Sequence, residues 1–279
     1  MLIKSTLAFL LLFMNLHITA PSSKVDSGDA IGSDCSISNN TFTDGEVLVY
    51  KAYFNWGFIW LNAAEITFRV EDTPKGYYIS AVGDTYSSYE WLYNVYDKYE
   101  VLLDKNTLLP IWSTKNVKEN SYTQYEKMVF DHQNRKVVCS KGPNEKNITT
   151  KIISIDDCAH DLLSVIYFVR NYDFRKFTKG KNIPLNVFLD QKLYKLGARY
   201  DGMFNKKEIK EIGSYNTIRL SPETIEGTVF SSNKGSYLYA SNDNNQVPLL
   251  IETKLKVGSI KIVLKSAKNL RFPLTARVK

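Results

Sequence analysis

The chain is poor in the residues and motifs from which chemistry is usually read. Of its 279 residues only three are histidine, His17, His132 and His160. It contains no Gly-x-Ser-x-Gly elbow, His-Glu-x-x-His pair, phosphate-binding loop or dinucleotide fingerprint, so the common hydrolase, metalloprotease and nucleotide-binding signatures are missing. No cofactor is expected. One apolar run, Leu7–Met14, stands out. It is too short for a membrane span of about 20 residues, and no second run follows, so no transmembrane span is expected. No motif repeats at a fixed period, which argues against solenoids and propellers. The net charge of +7 is not clustered. Lys254, Lys256, Lys261 and Lys265 alternate with apolar residues, the pattern of a solvated strand face rather than a nucleic-acid patch.

What is present begins with an export signal. Lys4 precedes the apolar run, and Ala20-Pro21-Ser22 supplies small residues for cleavage, so residues 1–22 read as a signal peptide. A periplasmic or extracellular destination follows. Residues 23–44 are rich in Ser, Asp, Gly and Asn and read as a flexible segment. Residues 45–279 then form a single β-rich domain. Three cysteines, Cys35, Cys139 and Cys158, permit one disulfide outside the cytosol and leave one thiol over. Spacing does not choose the pair. Cys139–Cys158 is the candidate, joining a strand to the helix start, while Cys35 would instead tie down the N-terminal segment.

From residue 46 onward, short alternating segments separated by Gly, Pro, Asn and Lys turns predict about fourteen antiparallel strands. Gly57 marks the first turn and "GTVFSS" a late strand. In the last strand Ile260, Ile262 and Leu264 oppose Lys261 and Lys265, which requires one buried and one wet face. One segment breaks the period. Leu162, Val165, Ile166 and Val169 recur at i, i+3, i+4 and i+7, predicting a one-sided helix over 157–171 capped by Asp156 or Asp157. The fold class is all-β with one main α-helix: a large curved antiparallel sheet rolled into an open or nearly closed β-barrel, with a two-sheet β-sandwich as the alternative.

Three clusters invite functional readings. "SNDNNQVPLLIE", residues 241–252, lacks the glycine and the carboxylates of a calcium loop, and its Asp and Asn suit a turn. Cys158-x-His160 falls short of a zinc site, which needs four ligands, and no metal site is expected. Tyr86, Tyr89, Trp91, Tyr93 and Tyr96, in a stretch whose first half has a helical stripe, are the candidate ligand-lining residues, since aromatic rings on a concave sheet stack on sugars and lipids.

Three blocks carry a resemblance. Gly45, Glu46, Leu48 and Tyr50 match an opening Gly-Glu-x-Leu-x-Tyr. Asp161, Leu163, Ser164, Tyr167 and Arg170 match a central helix pattern. Ser241, Asp243, Asn245, Pro248, Val257, Gly258 and Ser259 match a closing strand pattern, with Asn242 and Val247 departing from it. Together they resemble the exported bacterial family called domain of unknown function 3108. The resemblance implies an exported β-rich fold and no established activity. The expected function is that of a non-catalytic binding protein of the bacterial cell envelope, sheltering a lipid, a glycan or another amphipathic ligand. The alternatives are an interaction partner of an envelope protein or a polysaccharide hydrolase. The oligomeric state is open.

Overall fold

A computed structural model describes residues 35–56, 59–91, 93–223, 235–255 and 258–278. The predicted signal peptide, residues 23–34, Gly57, Val257 and the "GTVFSS" segment lie outside these residues. The chain runs β1 (Val47–Trp56), β2 (Ile59–Thr73), β3 (Gly76–Thr85), β4 (Tyr96–Leu103), β5 (Pro110–Glu119), β6 (Tyr122–Asp131), β7 (Lys136–Asn144) and β8 (Asn147–Ser154). After the helix α1 (Leu162–Val169) come β9 (Asn182–Leu189), β10 (Lys192–Ile209), β11 (Gly213–Pro222), β12 (Ser236–Ser241), β13 (Pro248–Lys254), β14 (Ser259–Lys268) and β15 (Arg277–Val278).

Among the described residues all fifteen strands belong to one antiparallel sheet, ordered β8-β7-β6-β5-β4-β3-β2-β1-β14-β13-β12-β11-β10-β9, with β15 beside β11. Two meanders are therefore joined where β1 meets β14, with Tyr50 opposite Leu264 and Asn55 opposite Ser259. Gly258 makes that junction possible. It adopts φ +85°, and a Cβ there would stand 2.1 Å from the Asn55 carbonyl oxygen, so only glycine fits. Register shifts leave extra residues on β2, β10, β13 and β14, bulges that bend strands and sharpen twist.

The sheet rolls up without closing its backbone ladder. Its two ends meet through other contacts. The strand leading into α1 covers the free edge of β9, where His160 N donates to Asn186 O (2.8 Å) and Phe188 N donates to His160 O (2.7 Å). Phe130 of β6 meets Phe188 of β9 edge-to-face with ring centroids 6.2 Å apart, and Lys141 of β7 pairs with Asp190 at 2.9 Å. The far half of the β10–β11 hairpin folds over the outside of the roll. There Glu211 accepts from Lys51 Nζ (3.1 Å) and Tyr53 OH (2.5 Å), so part of the wall is two layers thick without the fold becoming a sandwich. Alternation in β14 is as the sequence requires: Ile260, Ile262 and Leu264 are buried and face inward.

Four expectations are corrected. The helix is Leu162–Val169, shorter than 157–171, and its cap is Asp161. Asp161 Oδ1 accepts from Ser164 N while Ser164 Oγ accepts from Asp161 N, both at 2.9 Å, a reciprocal capping box. Asp156 and Asp157 bond Lys195 and Asn186 instead. The N-terminal segment is not loose from Cys35 onward, because Phe42 is fully buried in the core. The helical stripe read in the aromatic stretch is only a single 3-10 turn, Ser87–Tyr89. Finally, the disulfide joins Cys35 to Cys158, and Cys139 is a free, buried thiol. Cys139 projects inward from the middle of β7, where Glu126 Oε1 accepts from its Sγ at 3.1 Å, whereas Cys158 lies in the connection beside the N-terminal segment.

The cross-link closes 123 residues of sequence separation, and long loops gain most from closure, typically about 2–4 kcal/mol. Cys35→Ser is expected to lower the unfolding free energy by that amount in a denaturant titration. Non-reducing peptide mapping should recover Cys35 and Cys158 linked, with Cys139 alkylated only after unfolding.

Candidate functional site

The described residues of the family pattern gather at one end of the roll or along α1, except Gly258 and Ser259, which stand at the far end of β1 beside Asn55. The centre is an ion pair. Arg170, at the C-terminus of α1, gives its Nη1 and Nη2 to Glu46 Oε1 and Oε2 at 2.6 and 2.9 Å, and the side chains are 3% and 0% exposed. The same guanidinium donates to the Asn245 carbonyl through Nη2 at 3.2 Å and lies over the rings of Phe42 and Tyr167. Burial acts against its charge, and Glu46 outweighs it, so the guanidinium pKa moves up. Tyr50 OH donates to Pro248 O at 3.1 Å, and burial pushes its phenol pKa up.

The Asp and Asn cluster turns the chain and ties this end together. Asp243 Oδ1 accepts from Ser241 Oγ (2.9 Å) and Asn245 N (3.0 Å), and its Oδ2 accepts from Ala276 N (3.1 Å). Asn245 brackets the C-terminal segment, donating to Phe272 O and accepting from Phe272 N, both at 2.9 Å. Gln246 Nε2 donates to the carbonyls of Arg170 (2.7 Å) and Tyr172 (2.9 Å), capping the helix end. Gly45, with φ +73°, turns the chain into β1. The pattern residues at this end thus form a plug that closes the roll.

Beside the plug lies a cavity of about 260 Å³. The helix forms one wall. Leu163, Tyr167 and Phe168 join the main core, while Leu162, Val165, Ile166 and Val169 face the cavity. The predicted stripe is real and borders the cavity, with Leu162 and Ile166 also packed against the core, while the most deeply buried core contacts come from Leu163, Tyr167 and Phe168. The opposite wall is the inner surface of β9–β14, with Val187, Ala198, Leu220, Leu238, Ile251 and Ile262. Arg170, Gln246 and Pro248 bound the plugged end. Glu223, Ser236 and Thr253, where β11 ends, β12 begins and β13 nears its end, form a polar rim.

None of the five predicted ligand-lining aromatics borders this cavity, which corrects that expectation. Trp91 is 82% and Tyr96 46% exposed. Tyr93 is buried and donates to Glu119 at 2.8 Å. Tyr86 bonds Glu65, and Tyr89 closes the 3-10 turn. Tyr96 precedes the inward positions Asp97 and Tyr99 by an odd step, so its side chain points outward. Tyr99 is the aromatic of that stretch that reaches the cavity. Its signal was strand parity with Val101, both buried.

The β4–β7 side of the interior carries a row of charged groups beside an apolar cluster of Met128, Phe130, Val137 and Phe188. Tyr99, Lys115, Glu126 and Lys141 stand directly opposite one another on β4, β5, β6 and β7, and the row continues to Asp190. Lys115 is 2% exposed, and burial lowers its pKa to about 8. Asp97, one step along, has its pKa raised to about 7 by burial and then by Glu119. Burial also pushes the Cys139 thiol up, which makes it a poor nucleophile. His160 is buried, its Nδ1 lies 3.2 Å from Ser164 Oγ, and burial lowers its pKa to about 3. With Cys158 in the disulfide, the Cys158-x-His160 pair is structural. His132 Nε2 lies 3.0 Å from Pro110 O.

Two outcomes follow. Removing one partner of a buried ion pair costs about 3–5 kcal/mol. Arg170→Met should lose that amount in denaturant unfolding, and Glu46→Leu added to it should recover part. Asp97 binds its proton more tightly folded than unfolded, so its contribution is present below pH 4 and is lost as pH rises toward about 7. Asp97→Asn should therefore gain stability relative to the unsubstituted chain by up to about 1.4 kcal/mol per pH unit across that window, read from denaturation midpoints between pH 4 and 8.

Comparison with known proteins agrees with this architecture. A search of solved structures finds a "Beta-barrel-like Protein of Domain of Unknown Function DUF1849" from Brucella abortus at TM-score 0.55 and 6% identity, covering 81% of this chain and 98% of that one. A Bacteroides fragilis protein with a YmcC-like fold is found at TM-score 0.31 and 11% identity, covering 82% of this chain and 97% of that one, too loose a likeness to bear on the fold. No curated protein matches. The family described as "Protein of unknown function (DUF3108)" matches residues 49–265, spanning both meanders and the helix between them, and the chain belongs to that family.

Proposed function

We propose that this chain is an exported, non-catalytic binding protein of the cell envelope, holding an apolar or amphipathic ligand inside its rolled sheet. The observation that carries the reading is the cavity of about 260 Å³ between α1 and β9–β14, walled by aliphatic side chains and rimmed by a few polar ones. Apolar pockets with a small number of placed polar groups are the usual form of small-molecule sites. The signal-like residues 1–22 supply the export part of the proposal. The non-catalytic part rests on the state of the titratable groups that the structure describes. Glu46 and Arg170 neutralise each other, the imidazole of His160 is sealed against Ser164 and Phe168, and Cys139 is held protonated by burial. None of these is poised to exchange a proton with a substrate in the cavity, and Asp97 and Lys115, whose pKa values lie closer to neutrality, do not line it.

The test is native mass spectrometry and solvent extraction of protein purified without detergent from its own host. A bound amphiphile at one per chain is expected, lost on introducing Ala198→Trp at the cavity wall. Protein recovered empty, and unable to bind any apolar compound afterwards, would remove the proposal.

A further inference from the structure

We infer that the cavity takes a single unbranched aliphatic chain, entering tail first, with its head group left at the rim of Glu223, Ser236 and Thr253. This rests on the reading of the cavity as a ligand site and narrows the class of ligand.

Three observations carry it. The first is the lining. The walls offer branched aliphatic side chains from both sides, Val165 and Ile166 of α1 facing Leu220, Leu238 and Ile262. Sugars and flat ring systems are held by aromatic stacking and dense hydrogen bonding, whereas here the rings of Phe68, Tyr99 and Phe174 are outnumbered by aliphatic side chains. The second is size. About 260 Å³ falls between an apolar hole of roughly 150 Å³ that accommodates benzene and the roughly 300–1,000 Å³ of pockets for drug-sized molecules. One flexible chain fits; two side by side do not. The third is polarity along the length. One end is shut by the Arg170–Glu46 plug, whose charges already satisfy each other. At the other end the Ser236 and Thr253 side chains and the Glu223 carboxylate form the rim. At the plugged end Gln246 offers a single amide whose Nε2 is already taken by the Arg170 and Tyr172 carbonyls, so the rim is where a head group finds hydroxyl and carboxylate groups together.

A chain bound in this way gains about 0.8 kcal/mol for each methylene buried, which is close to fourfold in affinity per carbon, until it outgrows the cavity. The test uses the purified chain, stripped of bound lipid under native conditions, titrated calorimetrically with straight 1-alkanols from butanol to dodecanol. Affinity should rise about fourfold per carbon and then level off. The leveling point should move to shorter chains in Val165→Phe and in Leu238→Phe, each checked for unchanged thermal midpoint and circular dichroism. The compact ring alcohol 1-adamantanol should bind at least about tenfold more weakly than 1-decanol, which has the same number of carbons. Equal binding of the two, no rise with chain length, or a leveling point unmoved in both variants overturns the single-chain inference and leaves the broader proposal standing. Failure of every alkanol and of 1-adamantanol to bind overturns both.

Discussion

A guanidinium and a carboxylate, both withdrawn from water, hold the closed end of this molecule. Arg170 comes from the helix and Glu46 from the start of the strand that joins the two meanders, 124 positions apart in sequence. Each charge would be expensive to bury alone. Together, with the Asn245 carbonyl taking further donors of the guanidinium, they are tolerated only in one geometry. That geometry fixes where the helix ends, where β1 begins and how the β12–β13 turn sits. Asn245 and Asp243 then extend the constraint to the C-terminal segment through Phe272 and Ala276. A patch of conspicuous polar residues is thereby accounted for by folding, and function has to be sought beside it.

The sequence made the strands legible because one face of most of them meets water. Where that condition holds, as in β14, period-two reading names the buried residues correctly. It fails where both faces are covered. Leu250 and Val263 are opposite each other and buried at 5% and 6% because the β10–β11 hairpin folds over the outer wall, a contact that no local pattern announces. The helix shows the same limit. Its i, i+3, i+4 stripe was visible, but Leu163, Tyr167 and Phe168 make a second apolar face, and only tertiary contact decides which face meets the core. The cap was misassigned for a related reason: Asp156, Asp157 and Asp161 all suit a helix start, and the reciprocal bond with Ser164 distinguishes the third.

The aromatic stretch and the disulfide were misread through proximity in sequence. Trp91, Tyr96 and Tyr99 are close in sequence, yet the alternation of β4 sends Tyr96 outward and Tyr99 inward. Cys139 and Cys158 are near neighbours along the chain, but β7 and β8 carry Cys139 into the interior, leaving Cys158 beside the N-terminal segment. The charged row on β4–β7 was not legible at all. Lys115 and Glu126 look like surface residues until the sheet curls, since the sense of curl is a property of the whole roll.

That curl also divides the interior. The sheet is continuous, yet its β4–β7 half encloses a charged row beside its apolar side chains, while its β9–β14 half lines the cavity with aliphatic side chains, with α1 between them. The helix packs toward β3, β4 and β9 and stands off from β10–β14. Collapse onto the far wall would have to move Arg170 away from Glu46 and open the plug, so the ion pair keeps the space from closing. Both walls of the space are apolar, and apolar surface left facing water is unfavourable. An occupant that fills the space with methylene groups returns much of that cost. The buried charges and the cavity are then two sides of one arrangement, in which the plug holds open a space whose emptiness is unfavourable and whose filling is a source of binding energy.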